Sequence, residues 1–274
     1  MKRVNLHETY FPDKELHNVA IHQQRLWARV IKETFKILDD IKSFIDIGCR
    51  DGSLLMHMNS YYPLLNIAGI DYFEWMKDAC SKNVKPFYEL WDLRDSLVDT
   101  EWLNVVKRNN YFDIVNCTEV GEHIDKDYAD IFLSNLFNLT NKYLIITWSS
   151  SEDGGHQHLN PLSIEDFENL MIKNNFVKNV SKTELIYKNA KKEFDRIQGL
   201  YTETHTPTRE EVKDLMNEFS PVGLQSYPVN AVTHIMDNYT EEQRRAVCRM
   251  LTDVAVPSWY LKGGLSVWGK GKVI

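Results

Sequence analysis

Short apolar runs alternate with stretches whose apolar residues recur every three or four positions, and this alternation dominates the first two thirds of the chain. The runs at 44–48, 66–70, 86–91, 112–118 and 142–148 have the length and β-branched content of strands buried on both faces. Between them, 52–60, 73–82 and about 126–138 have helical spacing. Ahead of the first run, Trp27, Val30, Ile31, Phe35 and Leu38 mark one apolar face of a leading helix over about 19–40. Strand–helix alternation of this kind predicts an α/β fold with a mostly parallel sheet, helices on both faces and right-handed crossovers. A ligand then belongs at the carboxyl ends of the strands. After the fifth run, Ser163 with Glu165 and Asp166 reads as a capped helix start. A sixth strand is expected near Val180–Tyr187 and a last one at Leu265–Trp268.

Residues 188–257 break the pattern: they are polar, with helical stretches at 209–219 and 241–252 around a loop-like 220–228. The expected organisation is a core of 1–187 plus 258–274, with 188–257 as a mainly helical insertion that covers the acceptor or meets a protein partner.

Composition narrows the function. The formal net charge of −7 argues against a protein that grips nucleic acid through phosphate neutralisation. The four cysteines, at 49, 80, 117 and 248, lack paired spacing, so a disulfide framework or zinc ribbon is not expected. The N-terminus is polar and no apolar run approaches the roughly 20 residues a membrane span needs, which reads as a cytoplasmic protein. Four Asn-x-Ser/Thr matches occur, but Asn116 lies inside an expected central strand, so they read as chance.

The first strand leads into the chemistry. In Ser43-Phe44-Ile45-Asp46-Ile47-Gly48-Cys49-Arg50-Asp51-Gly52-Ser53 an apolar strand passes through a glycine-bearing turn to a helix start, where unpaired N–H groups collect. The spacing is Gly48-x-x-x-Gly52, with Arg50 where a dinucleotide turn has its middle glycine. A nicotinamide oxidoreductase is set aside on that ground. Asp46, Gly48 and Gly52 resemble motif I of the class I S-adenosylmethionine-dependent methyltransferases, and the likeness continues in order along the chain. Asp71 closes a second strand about 20 residues on, at the place of a ribose-binding carboxylate. Asp92 ends a third strand, where the family binds the adenine amino group. Tyr111 to Ile124 resembles the pattern F-D-x-V-x-x-x-E-x-x-E-H-I.

The resemblance covers 44 to about 187 plus the last strand. It implies a Rossmann-like methyltransferase fold of seven strands and S-adenosyl-L-methionine as cofactor. The cofactor shell it implies is Asp46, Gly48, Cys49, Arg50, Gly52, Asp71, Tyr72, Asp92, Leu93 and Glu119. Arg50 departs from the small residue usual in that turn; if the position needs positive φ, an arginine is strained there. Tyr10-Phe11-Pro12-Asp13 would either fold over the cofactor, as in the family, or fray with its aromatics docked on the core.

Methyl transfer needs positioning, and a base only where the nucleophile must lose a proton. His156 or His158, in a glycine-rich loop after strand five, is the first choice of base, with His123 after strand four next. The His-x-His pair has no third metal ligand identifiable in sequence, so no metal is assigned. Thr118-Glu119-Val120-Gly121 stands where the family's amino-methylating enzymes carry Asn- or Asp-Pro-Pro-aromatic. The resemblance therefore favours an oxygen or nitrogen of a small polar acceptor. The alternative is a cofactor-binding scaffold or accessory subunit without turnover.

Overall fold

The computed structural model describes residues 23–97, 111–150, 158–199, 208–210, 237–238, 240–244 and 265–271. A leading helix α1 (Gln23–Thr34) precedes β1 (Ser43–Ile47), α2 (Ser53–Tyr61), β2 (Asn66–Asp71), α3 (Glu74–Ala79) and β3 (Tyr88–Leu90). Then come β4 (Phe112–Cys117), α4 (Ala129–Leu139), β5 (Thr140–Thr147), α5 (Ile164–Lys173), β6 (Phe176–Lys178), α6 (Val180–Gly199) and β7 (Leu265–Lys270). The strands form one seven-stranded sheet in the order β3-β2-β1-β4-β5-β7-β6. Pairing is parallel from β3 to β5, while β7 lies antiparallel to both β5 and β6.

Every residue of β1 and β4 is buried, because helices cover both faces of the sheet. Alternate residues feed two cores. Phe44, Ile114 and Ile145 pack with Trp27 and Ile31 of α1, Leu54 and Leu55 of α2, and Ile186 and Ala190 of α6. Ile45, Val115, Leu144 and Ile146 pack on the other face with Phe132, Leu133 and Leu136 of α4 and Phe167 and Met171 of α5. Each such side chain contributes about 1.5–3 kcal/mol on leaving water. Trp148 and Trp268 are core residues and Trp91 is buried beside them, in keeping with packing rather than a cage.

Two expectations need correction. The segment Val180–Tyr187 is helical, as the first part of α6, and the sixth strand is the shorter Phe176–Lys178. Asn179 makes the difference: its side chain accepts the Lys182 N–H at 3.1 Å, an N-cap that starts a helix. The leading helix ends at Thr34 rather than near Asp40, and Leu38 beyond it takes φ +70°. The expected boundary at 187/188 thus falls within α6. Ser163 caps α5 as read, accepting the Asp166 N–H. Residues 19–22, the segment Tyr10–Asp13, and all of 188–257 except 188–199, 208–210, 237–238 and 240–244 lie outside the described residues. Among the described residues no helix is long and apolar enough to cross a membrane.

Asp113, the acid of the F-D pattern, sits at the amino end of β4, opposite the expected ligand side. It accepts the Lys42 N–H at 2.7 Å and the Asn141 side-chain N–H at 2.8 Å, and pairs with Lys142 at 3.3 Å. Burial pushes its proton affinity up, but these three donors together hold the carboxyl below the usual range. It staples the sheet.

Candidate cofactor and acceptor site

Connections run in opposite directions from β1 and β4, neighbours in the sheet, so a crevice opens beyond their carboxyl ends. The turn after β1 forms one wall. Gly48 and Cys49 both donate their N–H groups to the Ile70 carbonyl, at 2.8 and 2.9 Å, which docks the turn on the end of β2. Gly48 has φ +71°, and a Cβ there would lie 2.4 Å from Val120 Cγ2. Glycine is therefore required by conformation and by the closeness of the loop after β4. Gly52, also at positive φ, is the N-cap of α2. Cys49 is buried, with its thiol against Gly69, so its side chain faces the core and only its backbone faces the turn.

Arg50 has φ +51°, the left-handed conformation that the sequence made a condition of strain. Its N–H donates to Asp71 Oδ2 at 2.8 Å, while Phe73 N–H donates to Asp71 Oδ1 at 3.0 Å. The Tyr72 N–H is a third backbone donor to that carboxylate, which keeps lone-pair capacity for a ligand hydroxyl. Asp71 is buried, and burial raises its proton affinity against the pull of those N–H groups.

Asp46 lies below the turn. It pairs in register with Asn116 across β1 and β4, and Asn116 Nδ2 donates to it at 2.7 Å. Asn116 Oδ1 in turn accepts the Trp27 indole N–H at 2.9 Å. Burial, with the neighbouring charges of Asp71 and Asp51, pushes the Asp46 carboxyl up to about 7 despite the Asn116 hydrogen bond. Asp51 accepts Ser53 N–H and hydroxyl. Three buried acids, Asp46, Asp51 and Asp71, thus surround one glycine turn.

Asp92 follows β3 on the same rim, but the sequence reading missed its partner. Arg94 binds it in a bidentate pair, with Nη2 to Oδ2 at 2.7 Å and Nε to Oδ1 at 2.9 Å, and adds its own N–H at 3.0 Å. The Arg94 guanidinium is sandwiched near Tyr72 and Tyr128, at 5.6 and 5.9 Å from the ring centroids. Tyr72 is exposed and Leu93 is buried.

The wall opposite is the loop after β4. Glu119 takes φ +58°, donates its N–H to Thr147 Oγ1 at 2.7 Å, and accepts that hydroxyl at 2.8 Å. Thr147 ends β5 and was not read as a site residue. The carbonyl of Glu122 accepts the N–H groups of both Leu159 and Asn160, at 2.8 and 2.9 Å, and Trp148 Nε1 donates to the Asn160 carbonyl at 2.7 Å. These bonds bring His158 beside His123, with ring centroids 5.0 Å apart. The side chain of Glu122 joins them, so that one ligand-type atom from each of Glu122, His123 and His158 lies within 4.8 Å of the others. His156 lies outside the described residues. The Tyr-x-x-x-Lys spacing of hydride enzymes occurs twice. Tyr10–Lys14 is outside the described residues, and Tyr187–Lys191 lies on α6, where Tyr187 accepts Leu265 N–H and Lys191 pairs with Asp195.

Residues 19–182, more than half of the chain, match the family described as a methyltransferase domain. No curated protein matches the chain. Among solved structures, a SAM-dependent methyltransferase from Archaeoglobus fulgidus is 17% identical, with 60% of this chain and 74% of that one covered and a TM-score of 0.45. An O-methyltransferase family protein from Burkholderia thailandensis is 12% identical over 60% of this chain and 55% of that one, TM-score 0.45. The magnesium protoporphyrin IX methyltransferase from Synechocystis with bound SAH is 16% identical over 61% and 80%, TM-score 0.45.

Proposed function

This chain belongs to the methyltransferase-domain family, and on that premise we propose that it moves a methyl group from S-adenosylmethionine to an oxygen or nitrogen of a small polar acceptor. The observation that carries this reading is Asp71, a buried acid at the end of β2 tied through the Arg50 N–H to the glycine turn. Two vicinal ribose hydroxyls suit that arrangement. The acids at 46, 51 and 71 suit the sulfonium and ammonium charges of the methionine end. Asp92, steadied by Arg94, is assigned to the adenine edge together with Leu93 and Tyr72.

When bound, the cofactor supplies a methyl carbon on a positively charged sulfur, whose departure is neutral. The chain's own contribution is to hold the acceptor in line and to take up a proton where one must be lost. His123 and His158 stand together on the wall across the turn and are the groups for that task. Glu119 shapes the same wall.

Calorimetry with S-adenosylhomocysteine tests the cofactor half. Binding is expected in the wild type and loss of it in Asp71→Ala; no heat with either the methyl donor or its product in the wild type would overturn the reading. Transfer of a labelled methyl group to a panel of hydroxyl and amine acceptors tests the other half, with His158→Ala expected to lower turnover and leave cofactor affinity within about twofold.

A further inference from the structure

Methyl transfer as read above has no use for the Glu122 side chain, yet both of its carboxyl oxygens are buried without a hydrogen-bond partner among the described residues. Glu122 as a whole is fully buried. Its close polar neighbour is Glu119, a second acid. A carboxylate sealed from water beside another acid is strongly disfavoured unless a cation meets it. Two further ligand-type groups stand with it: a ring nitrogen each of His123 and His158 lies with a Glu122 oxygen inside a 4.8 Å spacing.

The cluster is also built from outside. The Glu122 carbonyl holds Leu159 and Asn160, Trp148 holds Asn160, and Gly121 leaves room for the Trp148 ring, which a Cβ would meet at 2.3 Å. His158 is thereby fixed against a loop from a different strand, so the ligand set is assembled by the fold and not by adjacency in sequence.

We propose that Glu122, His123 and His158 bind one divalent first-row transition-metal ion. Two imidazoles with a carboxylate select Mn²⁺, Fe²⁺, Co²⁺ or Zn²⁺ over Mg²⁺ and Ca²⁺, which prefer all-oxygen sites. Three protein ligands leave positions open for water or an acceptor oxygen, and Glu119 stands beside them. An ion there would make a bound hydroxyl easier to deprotonate, which is the work otherwise left to an imidazole. That consequence rests on the methyl-transfer reading; ion binding does not.

The test uses the full chain stripped with chelator and titrated with Co²⁺, read by its visible absorption and by calorimetry. One equivalent is expected to bind, with affinity lowered at least a hundredfold in His158→Ala and in Glu122→Gln. S-adenosylhomocysteine binding, measured on the same samples, reports that each variant is folded, and His158, being partly exposed, serves where the buried Glu122 variant does not fold. Absence of saturable Co²⁺ binding, or binding that His158→Ala leaves unchanged, would overturn the proposal. Cobalt binding without S-adenosylhomocysteine binding would sink the methyl-transfer reading and leave the metal site standing; the reverse result would do the opposite.

Discussion

The Arg50 N–H donates to Asp71 Oδ2 at 2.8 Å, so the turn after β1 and the end of β2 are fastened by the same carboxylate that we propose as the ribose ligand. The bond needs Arg50 in its left-handed conformation, which points the N–H across the turn. Backbone strain at 50 and the proposed ligand contact at 71 are therefore linked.

Replacing Asp71 with Asn leaves at least one of its backbone donors facing an amide N–H. We expect S-adenosylhomocysteine affinity to fall at least tenfold, about 1.4 kcal/mol, measured by calorimetry. An unchanged affinity would remove Asp71 from the site.

Arg50→Gly relieves a left-handed non-glycine residue. The relief exceeds the entropy glycine adds to the unfolded chain, and a gain of about 0.5–1 kcal/mol is expected from urea unfolding. A loss of cofactor affinity in the same variant would show that the guanidinium also touches the ligand.

Asp46 gives a pH dependence of defined sign. Its folded value of about 7 lies above the ordinary 3.8, so the folded state holds the proton more tightly. The group's contribution is most favourable below about pH 4 and is lost as pH rises to about 7, because stability falls wherever the folded state binds more protons. Asp46→Asn keeps an acceptor for Asn116 and removes the charge. Its stability relative to wild type should grow by about 3 kcal/mol between pH 5 and pH 8 in urea midpoints. A gap that stays constant with pH would refute the buried-charge account.

Gly48→Ala places a methyl 2.4 Å from Val120 Cγ2 at positive φ. The expected loss is at least about 2 kcal/mol. Adding Val120→Ala should restore the steric part and leave the conformational part, as a double-mutant cycle in thermal unfolding would reveal.

Asp92→Ala strands the buried guanidinium of Arg94. We expect a loss of about 3 kcal/mol in denaturant unfolding, with most of it recovered when Arg94→Met is added. Failure of the second change to recover stability would show that Arg94 is valued for its packing on Tyr72 and Tyr128.

What the sequence disclosed was whatever depends on local pattern. Asp46, Gly48, Gly52 and Asp71 were legible because strand, turn and acid follow one another within 26 residues. The helix α6 was misread as a strand because Val180 and Thr183 are β-branched, although Thr183, Ile186 and Ala190 follow helical spacing and are the residues buried. Asn179 was the overlooked signal. Arg94 could have been suspected from its place two residues after Asp92. Thr147 and the joining of Glu122 to His158 were not legible, since they depend on β5 lying beside β4 and on the hold of Trp148 on a segment 12 residues away.

Trp27 reaches through Asn116 to Asp46, so the leading helix acts as a keystone of the ligand chamber from its far side. Anyone designing a minimal fragment must therefore keep α1 and its Trp27. A fragment opening at β1 would unfasten Asn116 and leave the acid beneath the turn with a swivelling neighbour, turning a preset cavity into one that has to be ordered by its own ligand.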